Sequence, residues 1–409
     1  MTIRNLRREL FCGVGAAVLS VMLYHGATGA AAAQAGNPFE TIPPNEAAEI
    51  AELSQLATKL QDKRLGEGDG LEREPVRGVH PKSHGCVRAQ FTVAADLAED
   101  RRVGLFATPG KTYDAWIRYS NAAVLREDDL KAADPTKPDE RKNSSRGMAI
   151  KVLDVEGEML SEDNGHANQD FLMINTPEFA IANVRDYLRL NRVLMLSERG
   201  DVAAPFFLPL TGASPPPGAL ADIFKDFDDD DRARTGKSLG LITEKIEKQT
   251  VRNPLEVQYF GAAPFGFGPE RAMKFSAAPC GEAREQAPFK PIVAGDPSRD
   301  YLREALVKTM QGEEDVCFNF MIQLAGVDKV ADLGIEDATT TWELDHEPVA
   351  LITIPAPQDP EANERDQCEA MAFSPWHSLA AHRPLGGINR LRQQVYIESA
   401  KHREAQGYH

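Results

Sequence analysis

Two groups of residues in this chain have the types and spacing needed for acid–base or metal chemistry. Near the C-terminus, Asn389, Arg392, Tyr396, Ser399 and Arg403 recur at three- and four-residue intervals within the stretch 389–404, which places them on one stripe of a helix. Leu391 and Val395 flank that stripe, so it is expected to face the interior or its edge. An arginine one turn before a tyrosine can hold the phenol as phenolate, because a nearby opposite charge favours the ionised form. An inward phenolate is a good ligand for ferric iron. Alone, this stretch also reads as an amphipathic helix with an interfacial tyrosine and solvated arginines. The second group is dispersed: Arg77-Gly-Val-His80, Arg118-Tyr-Ser120, Arg146-Gly147 and Asn175-Thr-Pro177. Singly, each of these has a plain structural role open to it as a satisfied polar residue or a salt-bridge partner.

The elements that must position them follow from periodicity. Ile50, Leu53, Ala57 and Leu60 recur at helical spacing in 46–63, predicting a helix that docks on the main body. A Gly-rich charged break follows at 66–70. Short apolar runs bounded by turns then predict strands at 90–93, 112–119, 148–155, 170–174, 255–260, 272–276, 317–324 and 349–354. Helices are expected at 181–196 and 299–310. Some eight strands with uneven helical excursions indicate an α+β protein built on an antiparallel barrel with appended helices. There is no internal repeat and no clean linker.

Residues 1–35 are separate. Arg4, Arg7 and Arg8, an apolar run from Leu10 to Tyr24, and Ala33-Gln34-Ala35 match a secretory signal peptide, the run being too short to span a bilayer. The expected product is exported, periplasmic or secreted, by either the general or the twin-arginine route. Residues 36–75 then form an N-terminal arm and helix ahead of the body at 76–409. The net charge of −16 argues against nucleic acid and anionic membrane as partners, and no stable membrane insertion is expected. Cys12 leaves with the signal. Cys86, Cys280, Cys317 and Cys368 either pack as free thiols or form one or two disulfides, with three connectivities open.

Several motifs fail. Thr235-Gly-Lys-Ser238 has Asp231 where a phosphate-binding loop needs its first glycine. The acidic run 226–231 lacks the glycine and glutamate of a calcium loop and reads as a solvated face. No G-x-S-x-G elbow occurs. His80 and His84 flank Pro81 with no third zinc ligand nearby.

In order along the chain, the dispersed motifs and the terminal helix resemble the haem catalase superfamily. The matching pieces are Arg77-x-x-His80-x-Lys82, Arg118-Tyr-Ser120, Arg146-Gly-Met-Ala-Ile-Lys151, Asn175-Thr-Pro177, Met371-Ala-Phe-Ser-Pro375, and Arg392, Tyr396 and Arg403. The resemblance covers about 76–409 and implies an eight-stranded antiparallel barrel binding haem b. It implies Tyr396 as the proximal iron ligand with Arg392 keeping it ionised. His80 is then the distal base, which moves a proton between the two peroxide oxygens. Asn175 hydrogen-bonds the peroxide, Ser120 orients His80, and Arg77, Arg118 and Arg403 pair with the haem propionates.

Departures point to the shorter, catalase-related branch. Pro81-Lys-Ser-His84 replaces a run of small residues, Ile397 follows the tyrosine where proline is common, and 376–387 has no counterpart in typical catalases. The chain ends at His409, so their C-terminal helical part is expected to be missing. His377 and His382 either cap loops or line the haem edge or a substrate channel. The expected activity is decomposition of hydrogen peroxide or organic hydroperoxides, with an organic reductant as a further partner and an oligomer compatible. Conversion of fatty-acid hydroperoxides on the same fold is the first alternative. A non-catalytic haem-binding or sensing protein is another, against which an intact His80 counts.

Overall fold

Alternation along the strands decides the architecture. The computed structural model describes residues 38–64, 77–122, 129, 131–132, 141–161, 163, 165–197, 202–281 and 298–407; the expected signal peptide and the break at 66–70 lie outside the described residues. Among those residues the main sheet has nine strands, the short Phe265–Gly266 pairing on Arg271–Pro279 beside the eight that close on one another. In chain order the eight are β1 (Ser83–Val93), β2 (Thr112–Asn121), β3 (Arg146–Val152), β4 (Gln169–Ile174), β5 (Tyr259–Phe260), β6 (Arg271–Pro279), β7 (Val316–Gly326) and β8 (Glu347–Ile354). Each pairs antiparallel with the next, and β8 pairs back onto β1, closing a barrel. Closure removes the exposed edges that an open sheet would leave.

In β2, Tyr113, Ala115, Ile117 and Tyr119 point inward, as do Met148, Ile150 and Val152 of β3 and Phe171 and Met173 of β4. Aromatic rings fill the interior: Phe171 and Phe320 lie 4.7 Å apart between centroids, and Phe91 and Phe320 5.1 Å apart. Burying each phenyl contributes about 1.5–3 kcal/mol. The opposite parity therefore carries the candidate chemistry on the outer wall. The register places Ser120, Gly147 and Ile174 in one outward row, then Arg118, Ala149 and Leu172, then Trp116, Lys151 and Asp170.

Of the longer helices, α1 (Glu46–Arg64), α2 (Val184–Leu196) and, near the end of the chain, α5 (Gly387–Ala405) cover that wall, while α3 (Asp229–Gly240) lies apart from it and α4 (Tyr301–Met310) packs on β1 and the barrel core. Ile50 and Leu53 of α1, Val184 and Leu188 of α2, and Ile388 and Leu391 of α5 form one apolar cluster. Arg390 fixes the start of α5: its Nε lies 2.5 Å from Glu46 Oε1, one Nη 2.7 Å from Glu336 Oε2, and Glu40 is a third partner. No helix among the described residues is long and apolar enough to cross a membrane.

Three expectations change. β1 begins at Ser83 rather than residue 90, because Gly85–Ala89 already pair in regular register with Tyr119–Ala115 of β2, and a bulge between Ser83 and Gly85 admits Ser83 as well. The stretch 255–260 is a 3-10 turn followed by a two-residue strand. The acidic run 226–231 is not merely a solvated face, because it starts α3. Asp228 caps that helix, and Asp231, 1% exposed, meets Arg189 at 2.7 Å. The cysteines form two disulfides, Cys86–Cys368 and Cys280–Cys317; the first ties the turn before residue 369 to the outer face of β1.

Candidate functional site

A cavity of about 610 Å³ lies between the outer wall of β2–β4 and the covering helices, lined by His80, Ser120, Arg77, Arg118, Tyr396 and Arg403 among others. Its wall is flat for a reason readable in β3: the outward positions are Gly147 and Ala149. A Cβ on Gly147 would stand 2.3 Å from His80 Nδ1 and 2.9 Å from Ser120 Oγ. Only glycine lets the imidazole lie against the sheet there.

His80 leaves its loop with φ of 55°, a left-handed conformation that costs a non-glycine residue about 1–3 kcal/mol and must be held by its surroundings. Arg77 Nε donates to the His80 carbonyl at 3.0 Å, and His80 Nδ1 lies 2.9 Å from Ser120 Oγ. The serine thus orients the ring, while Nε2 belongs to the cavity side. Burial, then the positive charges of Arg77, Arg392 and Arg118, push the imidazole down to about 3, so it stands neutral as an acceptor at pH 7.

Opposite lies α5. Arg392 donates to the Tyr396 phenol at 3.5 Å, and its other nitrogen to Asn389 Oδ1 at 3.1 Å. Asn389 is itself anchored by the carbonyls of Pro264 and Leu385. The predicted stripe therefore faces inward.

At one side, three guanidiniums gather. Arg77 Nη1 and Arg403 Nη2 reach the two oxygens of Glu369 at 2.8 and 3.1 Å. Arg118 donates to the carbonyls of Cys368 and Met371 at 3.2 and 3.3 Å and sits 4.3 Å over the Phe373 ring. Burial and the neighbouring Arg77 hold Arg118 down to about 9. A buried arginine depressed in this way gains most from an incoming anion. This donor set suits a ligand with carboxylates at one edge.

Asn175 stands apart. It is buried and does not line the cavity. Its amide oxygen accepts from Arg146 N at 2.7 Å, and its nitrogen donates to Gln249 at 2.5 Å. Of the two later histidines, His377 lines the cavity, whereas His382 is fully buried, accepting from Leu105 N at 3.1 Å and packing on Phe106. Sequence reading missed Glu369, although its place beside Cys368 was visible. It also gave Gly147 no role beyond a motif match.

Among the described residues, no three His, Cys, Asp or Glu side chains cluster to hold a bare metal ion.

No family model and no curated protein matches the sequence. Solved structures share its fold. A fungal catalase is 17% identical over 82% of this chain and 61% of its own, with a TM-score of 0.55. Catalase A from Saccharomyces cerevisiae is 16% identical over 81% of this chain and 61% of its own, at 0.53. A bacterial catalase is 18% identical over 99% and 69%, also at 0.53. The fold is catalase-like, and the chain spans about three-fifths of the length of the fungal and yeast proteins.

Proposed function

We propose that this protein is a haem b enzyme that decomposes hydrogen peroxide or organic hydroperoxides. The observation that carries the reading is one cavity with the His80–Ser120 pair on the barrel wall and the Arg392–Tyr396 pair on the helix opposite. The residues fit a haem: Tyr396 would hold the iron, and Arg77, Arg118 and Arg403 would take the two carboxylates. When bound, haem supplies the redox chemistry of peroxide cleavage.

The chain's own residues do the rest. His80, neutral, accepts a proton from one peroxide oxygen at Nε2 and returns it to the other, so that the leaving oxygen departs as water or alcohol. Ser120 keeps the ring in place through Nδ1, and Gly147 gives it room. Arg392 sets a positive charge beside the phenol oxygen. Carboxylates arriving at Arg77 and Arg118 would offset two of the positive charges that, after burial, hold His80 low. For Asn175 to hydrogen-bond peroxide, its amide must turn from Gln249 toward the cavity.

An apolar arm of the cavity, with Leu53, Ala57 and Leu60 of α1 and Leu190 and Leu194 of α2, favours organic hydroperoxides, including those of fatty acids, beside hydrogen peroxide. That arm also supports assignment to a shorter catalase-related branch. We further propose export after removal of residues 1–35, a reading that the two disulfides support. The test is the absorption spectrum of the purified protein, followed by oxygen release from hydrogen peroxide and loss of an added alkyl hydroperoxide. A Soret band with either turnover is expected. A band with neither would leave haem binding alone.

A further inference from the structure

The cavity has a second polar end. It lies along β3 from Gly147 to Lys151, four residues or about 13 Å at ~3.3 Å each. There His377 Nδ1 lies 2.9 Å from Asp170 Oδ2. Asp170 is fully buried, and its carboxylate also receives Lys151 Nζ at 3.0 Å and the Ser374 amide at 3.0 Å. Lys151 Nζ in turn reaches Asp163 Oδ2 at 2.5 Å. A carboxylate already receiving an ammonium and an amide acts as acceptor, so the hydrogen it shares with His377 belongs to Nδ1. In that tautomer the ring's lone pair is on Nε2. His377 and Asp163 both line the cavity, so Nε2 faces a space that a ligand can enter.

The charges at this end are opposite in sense to those at the arginines. Lys151, Asp163 and Asp170 sum to one negative charge, which disfavours carboxylates. The adjacent row presents Ala149 and Leu172 beside Arg118, whose guanidinium is turned to the Cys368 and Met371 carbonyls and the Phe373 ring. A ligand suited to it is neutral, has an apolar body and carries one strong hydrogen-bond donor.

We propose that this end binds a small phenol, its hydroxyl donating to His377 Nε2, as the reductant site of the enzyme. This rests on the peroxide chemistry proposed above. As the phenol gives up one electron, its O–H bond breaks and the proton passes to Nε2. Two phenols and one hydrogen peroxide yield two phenoxyl radicals and two waters, the peroxide being the oxidant. Asp170 holds the ring and stabilises the imidazolium formed, and solvent then removes the proton.

The experiment is calorimetric titration of the purified, haem-loaded protein, in which the haem carboxylates occupy the three arginines, with 4-methoxyphenol and, separately, 4-methoxybenzoate. The phenol is expected to bind and the benzoate to bind more weakly at this site. His377→Leu should weaken the phenol about fivefold, the worth of one neutral hydrogen bond, and His377→Gln, which keeps an acceptor, should recover part of the loss. In turnover, the Leu variant should raise KM for the phenol more than it lowers kcat. Unchanged phenol affinity in folded His377→Leu overturns the proposal. Should that variant not fold, Asp163→Asn decides: the preference for phenol over benzoate should narrow, and an unchanged ratio overturns it. The titration needs no peroxide. Phenol binding without peroxide turnover therefore removes the proposed function and leaves the site, whereas turnover without phenol binding removes the site alone.

Discussion

Gly147→Ala is the sharpest perturbation that the geometry offers. The added methyl would stand 2.3 Å from His80 Nδ1, 2.5 Å from Cε1 and 2.9 Å from Ser120 Oγ. Ordinary carbon contacts begin near 3.5 Å, so the imidazole must retreat by roughly 1 Å. The loop has little freedom to absorb this movement, since His80 already holds a φ of 55° and its carbonyl is bound by Arg77. The movement breaks the 2.9 Å contact with Ser120. Misplacing a reacting group by about 1 Å costs on the order of 100-fold, within the range that a positioned base contributes. Peroxide turnover per haem should therefore fall about 100-fold, while the Soret absorbance per chain stays close to wild type because Tyr396 and the arginines are untouched. Wild-type turnover in Gly147→Ala would refute the role given to His80.

Other perturbations test separate parts. Arg118→Gln should lower haem affinity by roughly 10- to 100-fold, the worth of one charge-assisted hydrogen bond, measured by haem transfer to an acceptor protein. Burial holds His84 and His382 down to about 4, below the unfolded value near 6.5. The unfolded chain thus binds more protons, and stability is full above pH 6.5 and falls as pH drops toward 4, by about 1.4 kcal/mol per unit for each histidine. Urea midpoints at pH 7 and 5 measure this fall, and an unchanged midpoint would contradict it. Replacing Cys86 and Cys368 by serine should cost about 2–4 kcal/mol of stability and loosen haem. The bond anchors the turn that carries Glu369 and the carbonyl bound by Arg118, so thermal unfolding and haem retention should shift together.

Much of this architecture was legible in the chain. Eight apolar runs separated by turns correspond to the eight barrel strands, and the Arg392–Tyr396 spacing placed both on the inward stripe of α5. Local periodicity carries that information. What sequence could not show was which barrel surface holds the site, because alternation marks two faces and only the closed sheet tells inside from outside. His377 and His382 illustrate the limit. They sit five residues apart in one loop, yet one borders the cavity and the other is buried beneath Phe106. Glu369 was silent for a similar reason, since its meaning depends on Arg77 and Arg403, 292 and 34 residues away. Asn175 matched a motif, but its amide is engaged by Arg146 and Gln249, a partnership that no spacing reveals.

Everything proposed for this cavity depends on Tyr396 holding the iron of a haem. The absorption spectrum of the purified protein should be compared with that of Tyr396→Phe, both produced with ample haem. A Soret band is expected in the first, and in the second a band that is shifted or lost, with the chain still folded by circular dichroism. The same Soret band in both proteins, or none in either, would contradict it.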